Sequence, residues 1–226
     1  MKALRFVLLM AAAAAAFPGV ALAEEPSPAQ ATALKRLQAV SSTPVAADFA
    51  DGAPRFVSAT ITVEGASAID RALLYLDAFR DLYGLSAPRD QLQVVREAGA
   101  GDEHDVFFGQ SVQGVQVQDA QLAVHLRGSS VVATNGAYLP LPPAAVKPVL
   151  TAAEATSVAQ KAAGRSDDAV LPSEQTYFNA SLTMNETERA AWRLDAATHP
   201  AWRVSLPTRL SLVDAQTGRE LLGTTR

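Results

Sequence analysis

HDVFFGQSVQGVQVQDAQLAVHLRGSSVVATNGAYLP, residues 104–140, spells three consecutive strands together with the turns between them. Val106–Val112 is rich in β-branched and aromatic residues and stops at Gln113-Gly114. Val115–Leu126 then sets Val115, Val117, Leu122, Val124 and Leu126 against Gln116, Gln118, Gln121 and His125, the pattern of a strand with one buried face. Arg127-Gly128-Ser129-Ser130 supplies the next reversal. Val131-Val132-Ala133-Thr134 is the third strand, closed by Asn135-Gly136, a pair suited to the positive φ of a tight turn. The expectation is an antiparallel meander.

Upstream, Ser67–Tyr83 carries Ile69, Leu73, Leu76, Phe79 and Leu82 at three- and four-residue steps, with Gly84 as a stop, and predicts one continuous helix. Arg55–Glu64 alternates and reads as the first strand of the sheet. Leu92–Arg96 is a further short strand, and Gly99–Asp102 a loop before the meander. Ala31–Val40 forms a short helix with Leu34, Leu37 and Val40 on one face, and Glu24–Gln30 before it is a polar, Pro-containing leader.

The meander resembles the fungalysin/thermolysin propeptide (FTP) family. An aromatic strand ending in Gln, a turn Gly and a Gly-Val-x-Val-x-Asp strand appear here as Phe107, Phe108, Gln110, Gly114, Val115, Val117 and Asp119. The pattern continues through Val124-His125-Leu126, Asn135-Gly136, Tyr138 and Pro140. The helix ending Asp81-Leu82-Tyr83-Gly84-Leu85 has its counterpart in the same family. The resemblance implies a prosegment module without chemistry of its own.

Residues 1–23 read as a secretory signal peptide: Met1-Lys2-Ala3-Leu4-Arg5, an apolar run Phe6–Phe17, a Pro18-Gly19 break and Ala21-Leu22-Ala23 before the cut. The apolar run is too short to span a bilayer, and no later stretch is long enough, so the mature chain is expected to be secreted or periplasmic, without a membrane span. With Cys 0, neither a disulfide nor thiol chemistry is possible. A net charge of −4 with scattered basic residues argues against nucleic acid as a partner.

Leu139–Pro148 holds four prolines in ten residues and predicts an extended linker, here placed at 141–149. Thr151-Ala152-Ala153-Glu154 then has the form of a capping box opening a helix to Ala163. Strands are expected at Glu174–Ala180, Ala201–Leu206 and Leu210–Asp214, with a polar stretch of no clear type up to Arg193. Asp214 and Thr217 suit a turn whose backbone they bond, and Gly218 suits its positive φ. This half resembles the PepSY family through Leu150–Ala155, Ala201-Trp202-Arg203-Val204 and Val213–Leu221. It departs from that family between Asp167 and Arg193, where Gln175-Thr176-Tyr177-Phe178 is the remnant of the usual strand.

The expected fold is therefore α+β: two small cystatin-like modules, each a helix packed on an antiparallel sheet. Leader and short helix occupy 24–48, an FTP-like domain 49–140 and a PepSY-like domain 150–226. Family-motif positions are Phe108, Gln110, Gly114, Val117, Asp119, Asp214 and Gly218.

Chemistry-bearing motifs are missing from the sequence. Zinc hydrolysis of the thermolysin type needs two His one helical turn apart with a Glu between them; His104, His125 and His199, which account for His 3, lie far apart. Asp102-Glu103-His104-Asp105 reads as a solvated turn, His125 as an exposed strand residue and His199, before Pro200, as part of a loop. There is no Gly-x-Ser-x-Gly elbow and no phosphate loop. The pairs Asp167-Asp168 and Glu24-Glu25 read as surface charge, and the sequons at Asn179 and Asn185 are given no role. No catalytic residue, metal ligand or cofactor is assigned.

In its family an FTP–PepSY prosegment packs on a thermolysin-like metalloprotease, assists its folding and blocks its cleft. The resemblance implies the same class of partner here. Contacts would come from the sheet edges and from Leu221–Arg226, with Tyr138, Trp202, Leu221 and Leu222 as possible partner-binding positions. For Tyr138 and Trp202 core packing is the alternative use. The chain stops about where a protease domain would begin. Three readings follow: a free-standing inhibitor or folding aid, monomeric when free; the remnant or prosegment of a truncated precursor without activity of its own; or an envelope module that binds peptides.

Overall fold

The computed structural model describes residues 24–140, 146–164 and 171–225. The signal-peptide reading, the linker residues 141–145 and Asp167-Asp168 lie outside them. The fold is α+β, with six helices and a ten-stranded mixed sheet among the described residues. No described helix is long and apolar enough to cross a membrane.

The first half begins with α1 (Pro28–Val40). Ser27 caps it through a reciprocal box with Gln30, and Pro28 sits where a missing N–H costs nothing. Ala33 and Leu37 face inward, while Val40, expected on the same face, is exposed. A short strand, β1 (Ala46–Ala50), then pairs with β2 (Ala53–Thr62). The single predicted helix at 67–83 is interrupted. α2 (Ala68–Ala78) ends at Phe79, and α3 (Arg80–Tyr83) restarts. Leu82 N–H bonds Phe79 O at 2.8 Å, a tight i to i+3 contact that turns both Leu82 and Tyr83 into the core. Gly84 closes the segment in the left-handed region, as expected of a helix stop.

After a one-turn helix, α4 (Pro88–Gln91), come β3 (Leu92–Ala100), β4 (Glu103–Val112), β5 (Val115–Arg127) and β6 (Ser130–Ala137). The meander forms as its turns dictate: Gln113 and Gly114 both take positive φ, 49° and 82°, at the β4–β5 reversal. Asn135-Gly136 is different. The pair lies inside β6, opposite Ala123 and Leu122, and does not turn. A Cβ on Gly136 would stand 2.2 Å from Gln121 O, so the glycine permits close strand approach, not reversal. The lateral order β1-β2-β6-β5-β4-β3 is antiparallel throughout, with α1, α2 and α3 contributing to the core.

The second half opens with α5 (Ala152–Ala162), whose Thr151–Glu154 capping box forms in full. β7 (Glu174–Asn179), β8 (Thr198–Leu206), β9 (Arg209–Asp214) and β10 (Glu220–Thr225) follow in lateral order. His199 and Pro200 sit in β8, not in a loop. The stretch of undefined type contains a 3₁₀ turn at Ala180–Leu182 and α6 (Glu186–Trp192). Both sequon asparagines are their caps: Asn179 Oδ1 accepts from Ser181 N–H, and Asn185 from Glu188 N–H.

Sheet β7–β10 is covered on both faces. Along β8, Val204 and Leu206 pack with Ala155 and Ala159 of α5, while Ala201 packs with Phe178, Leu194, Leu212 and Leu221 on the other side. Trp202 lies with the α5 side, and its indole N–H donates to Leu150 O at 2.9 Å, tying the start of this half to its sheet.

Candidate functional site at the seam between the sheets

The two sheets meet on β5. Gly109 pairs with Gln121 and Ser111 with Gln116, so Val117, Gln118, Asp119 and Ala120 of β5 oppose Gln110 alone. This bulge carries Asp119 at φ 60°, a conformation that aspartate tolerates better than most residues. It swings the first residues of β5 away from β6, and β7 takes the vacant side in parallel pairing, Val117 opposite Tyr177. Thr176 Oγ1 donates to Gln116 O at 2.9 Å across the same seam.

Gln110 fills the gap the bulge leaves. Its Nε2 donates to Leu139 O at 2.7 Å and its Oε1 accepts from Leu139 N–H at 2.9 Å. A buried side-chain amide thus stands in for a strand partner and anchors the chain as it leaves β6. Tyr177 crosses in the other direction. Its ring is 1% exposed and packs in the core of the first half, as does Leu182, and its hydroxyl accepts from Val146 N–H at 2.8 Å.

The expected site residues therefore divide. Gln110, Gly114, Val117 and Asp119 come together at the seam and line one valley of about 550 Å³, with Val95, Gln116, Gln121, Gln175 and Arg203. Phe108 points the other way, into the core. Asp214 and Gly218 form the β9–β10 turn: Asp214 Oδ1 accepts from the amides of Gln216 and Thr217, both at 2.8 Å, and Gly218 has φ 72°. Leu221 is 2% exposed and belongs to the second core, with Leu222 packed partly against it.

Tyr138 is buried beside the hydroxyl chain Tyr75–Tyr83–Thr134, whose links are 3.0 and 2.8 Å. Burial lifts the Tyr75 phenol to about 12, against the opposing effect of its bond to Tyr83, and raises those of Tyr83 and Tyr138 well above the ordinary range. All three remain neutral under any physiological condition.

A second polar cluster holds the turn to the helix before it. His199 Nδ1 lies 3.0 Å from Asp214 Oδ2 and its Nε2 2.9 Å from Asp195 Oδ1. Burial acts to raise the Asp214 carboxyl, but the amides of Thr217 and Gln216 and the contact with His199 outweigh it and hold the group below the usual carboxylate range. The His199 contact, then the Ala197 amide, lowers Asp195 as well. Arg219 of the same turn donates to the carbonyls of Trp192 and Arg193, at the C-terminal end of α6.

Two features escaped the sequence reading. The bulge is one, although the sequence carries its mark: Val115 and Val117 are odd-numbered, while Leu122, Val124 and Leu126 are even-numbered, and a strand changes phase only by an inserted residue. The long free edge is the other. β3 runs to Ala100, pairs among the described residues with β4 alone, and leaves Val94 and Val95 41% and 47% exposed.

Among solved structures the chain is similar to the Bacillus megaterium YpeB C-terminal domain, with 13% identity, 80% of this chain and 75% of that chain covered, and a TM-score of 0.36. No family model matches the sequence, and no curated protein does.

Proposed function

We propose that the chain is an exported, non-catalytic, propeptide-like module that binds a thermolysin-like zinc metalloprotease and acts on it as inhibitor, folding aid or both. One observation carries this reading beyond the sequence resemblance. The first sheet ends in a nine-residue strand whose outer edge has no partner among the described residues and whose surface is apolar at Val94 and Val95. A bulge between Val94 and Arg96 interrupts the ladder, and Arg96 and Glu97 place charge on the strand, so β3 offers a partner the runs on either side of that bulge. A partner strand laid along β3 gains main-chain hydrogen bonds with its affinity tuned by the two valines. The motif positions support the same view: Gln110, Val117 and Asp119 build the seam and hold the two sheets as one body for docking.

The test mixes purified residues 24–226 with several thermolysin-like proteases and measures residual activity and the refolding yield of each protease. Inhibition or improved refolding is expected for at least one. Val94→Lys with Val95→Lys should weaken the effect at least about tenfold without unfolding the chain, since both side chains are exposed. Wild-type protein that changes neither activity nor yield across the set contradicts the proposal.

A further inference from the structure

The valley on the seam is not explained by docking through β3. Its floor is the β5 bulge and its walls come from β4 with Val95 of β3 on one side and from β7 and β8 on the other. Five glutamines line it: Gln110 and Gln118 are engaged, while the amides of Gln116, Gln121 and Gln175 have no hydrogen-bond partner among the described residues. Its charges are few. Arg203 is held by Glu174 at 3.0 Å, which leaves the exposed Asp119 carboxylate, bonded to the Gln118 amide at 2.8 Å and to no cation among the described residues, as the uncompensated charge.

The molecule itself demonstrates what such a glutamine does. In the lining of the same valley, Gln110 grips a passing extended segment by donating to one residue's carbonyl and accepting from the same residue's N–H. A side-chain amide has one donor group and one acceptor, so it satisfies a peptide unit as another strand would. The volume, about 550 Å³, is of the size that holds a short segment rather than a single ion.

We propose that this valley binds an extended peptide segment of a partner, gripped along its main chain by Gln116, Gln121 and Gln175, with a basic side chain of the peptide set against Asp119. Val95 of β3 stands on the rim of the valley, but peptide binding is read directly and without a protease, so the proposal is tested independently of protease inhibition.

The test uses the full mature chain, ¹⁵N-labelled, titrated with a blocked octapeptide of alternating threonine and lysine while the side-chain NH₂ signals of the three glutamines are followed. Saturable shifts of these signals are expected. Methylating alternate peptide nitrogens, or introducing Gln121→Leu with Gln175→Leu, should weaken binding at least about tenfold; neither side chain makes a hydrogen bond among the described residues, and the backbone spectrum checks that the fold is kept. Asp119→Asn should reduce the preference for lysine over a threonine-only peptide. Absence of saturable shifts up to about 1 mM peptide overturns the proposal. So do equal shifts from the methylated peptide, or shifts obtained only with an N-acetylglucosamine oligomer, which would mark the valley as a sugar site.

Discussion

The two sheets of this molecule solve the same packing problem with unequal means. The first buries Phe49, Tyr75, Leu76, Phe79, Leu82, Tyr83 and Phe108 in one continuous core under three helices. The second splits its apolar residues between two faces, small alanines and single aliphatics on the α5 side and a cluster around Phe178 on the other. A thin core on each side of a sheet excludes less water than one thick core, and hydrophobic stabilisation follows the area removed. The second sheet compensates at the seam, where Tyr177 and Leu182 are buried in the core of the first. The lesson is one of dependence: the first half holds itself together, and the second leans on it.

Removing the support should have the largest effect. Tyr177→Ala leaves a cavity in the first core and frees the Val146 amide, with an expected loss of about 3–5 kcal/mol measured by denaturant unfolding. Gln110→Leu keeps the volume but strands the N–H and carbonyl of Leu139. A cost of roughly 2–4 kcal/mol is expected, together with faster hydrogen exchange around 137–140.

Asp214→Asn acts on the second half alone and should cost about 2 kcal/mol, because the β9–β10 turn and the His199 contact share that carboxylate. This residue also sets a pH dependence. Its folded pKa is depressed, so its stabilisation is complete above the unfolded value near ~3.9 and is lost as pH falls through the lower folded value. Wild-type stability should therefore decline as pH drops below about 4, and the variant should show a shallower decline in the same range.

At the small end stands α6, which buries no residue, and Trp192, which is 46% exposed. Trp192→Ala should shift stability by no more than about 0.5 kcal/mol. A larger loss would mean that the outer face of the second sheet is held more firmly than its packing indicates.

The same contrast governs how much was legible in the sequence. Turns and caps are local chemistry, and Gln113-Gly114, Gly84, the Thr151–Glu154 box and the Asp214–Gly218 turn all form as their residues require. Features made by contacts between distant segments were not legible. Asn135-Gly136 has the composition of a turn, yet Gly136 serves close packing against Gln121, 15 residues away in the chain by numbering. The break at Phe79 follows from where Leu82 and Tyr83 must point, which periodicity alone does not record. Among the site residues, the family resemblance singled out Gln110, Gly114, Val117 and Asp119 individually. Their shared valley emerges only once β5 bulges and β7 fills the vacated side.

The dependence of one sheet on the other is tested most directly by following assigned amide signals of both sheets through thermal unfolding, in the full mature chain and in Tyr177→Ala. The account expects wild-type β2, β4–β6 and β7–β10 to melt together, and expects the variant to lose β8–β10 at a lower temperature while β4–β6 persist. Simultaneous loss of both sheets in the variant, or earlier loss of β4–β6, would contradict it.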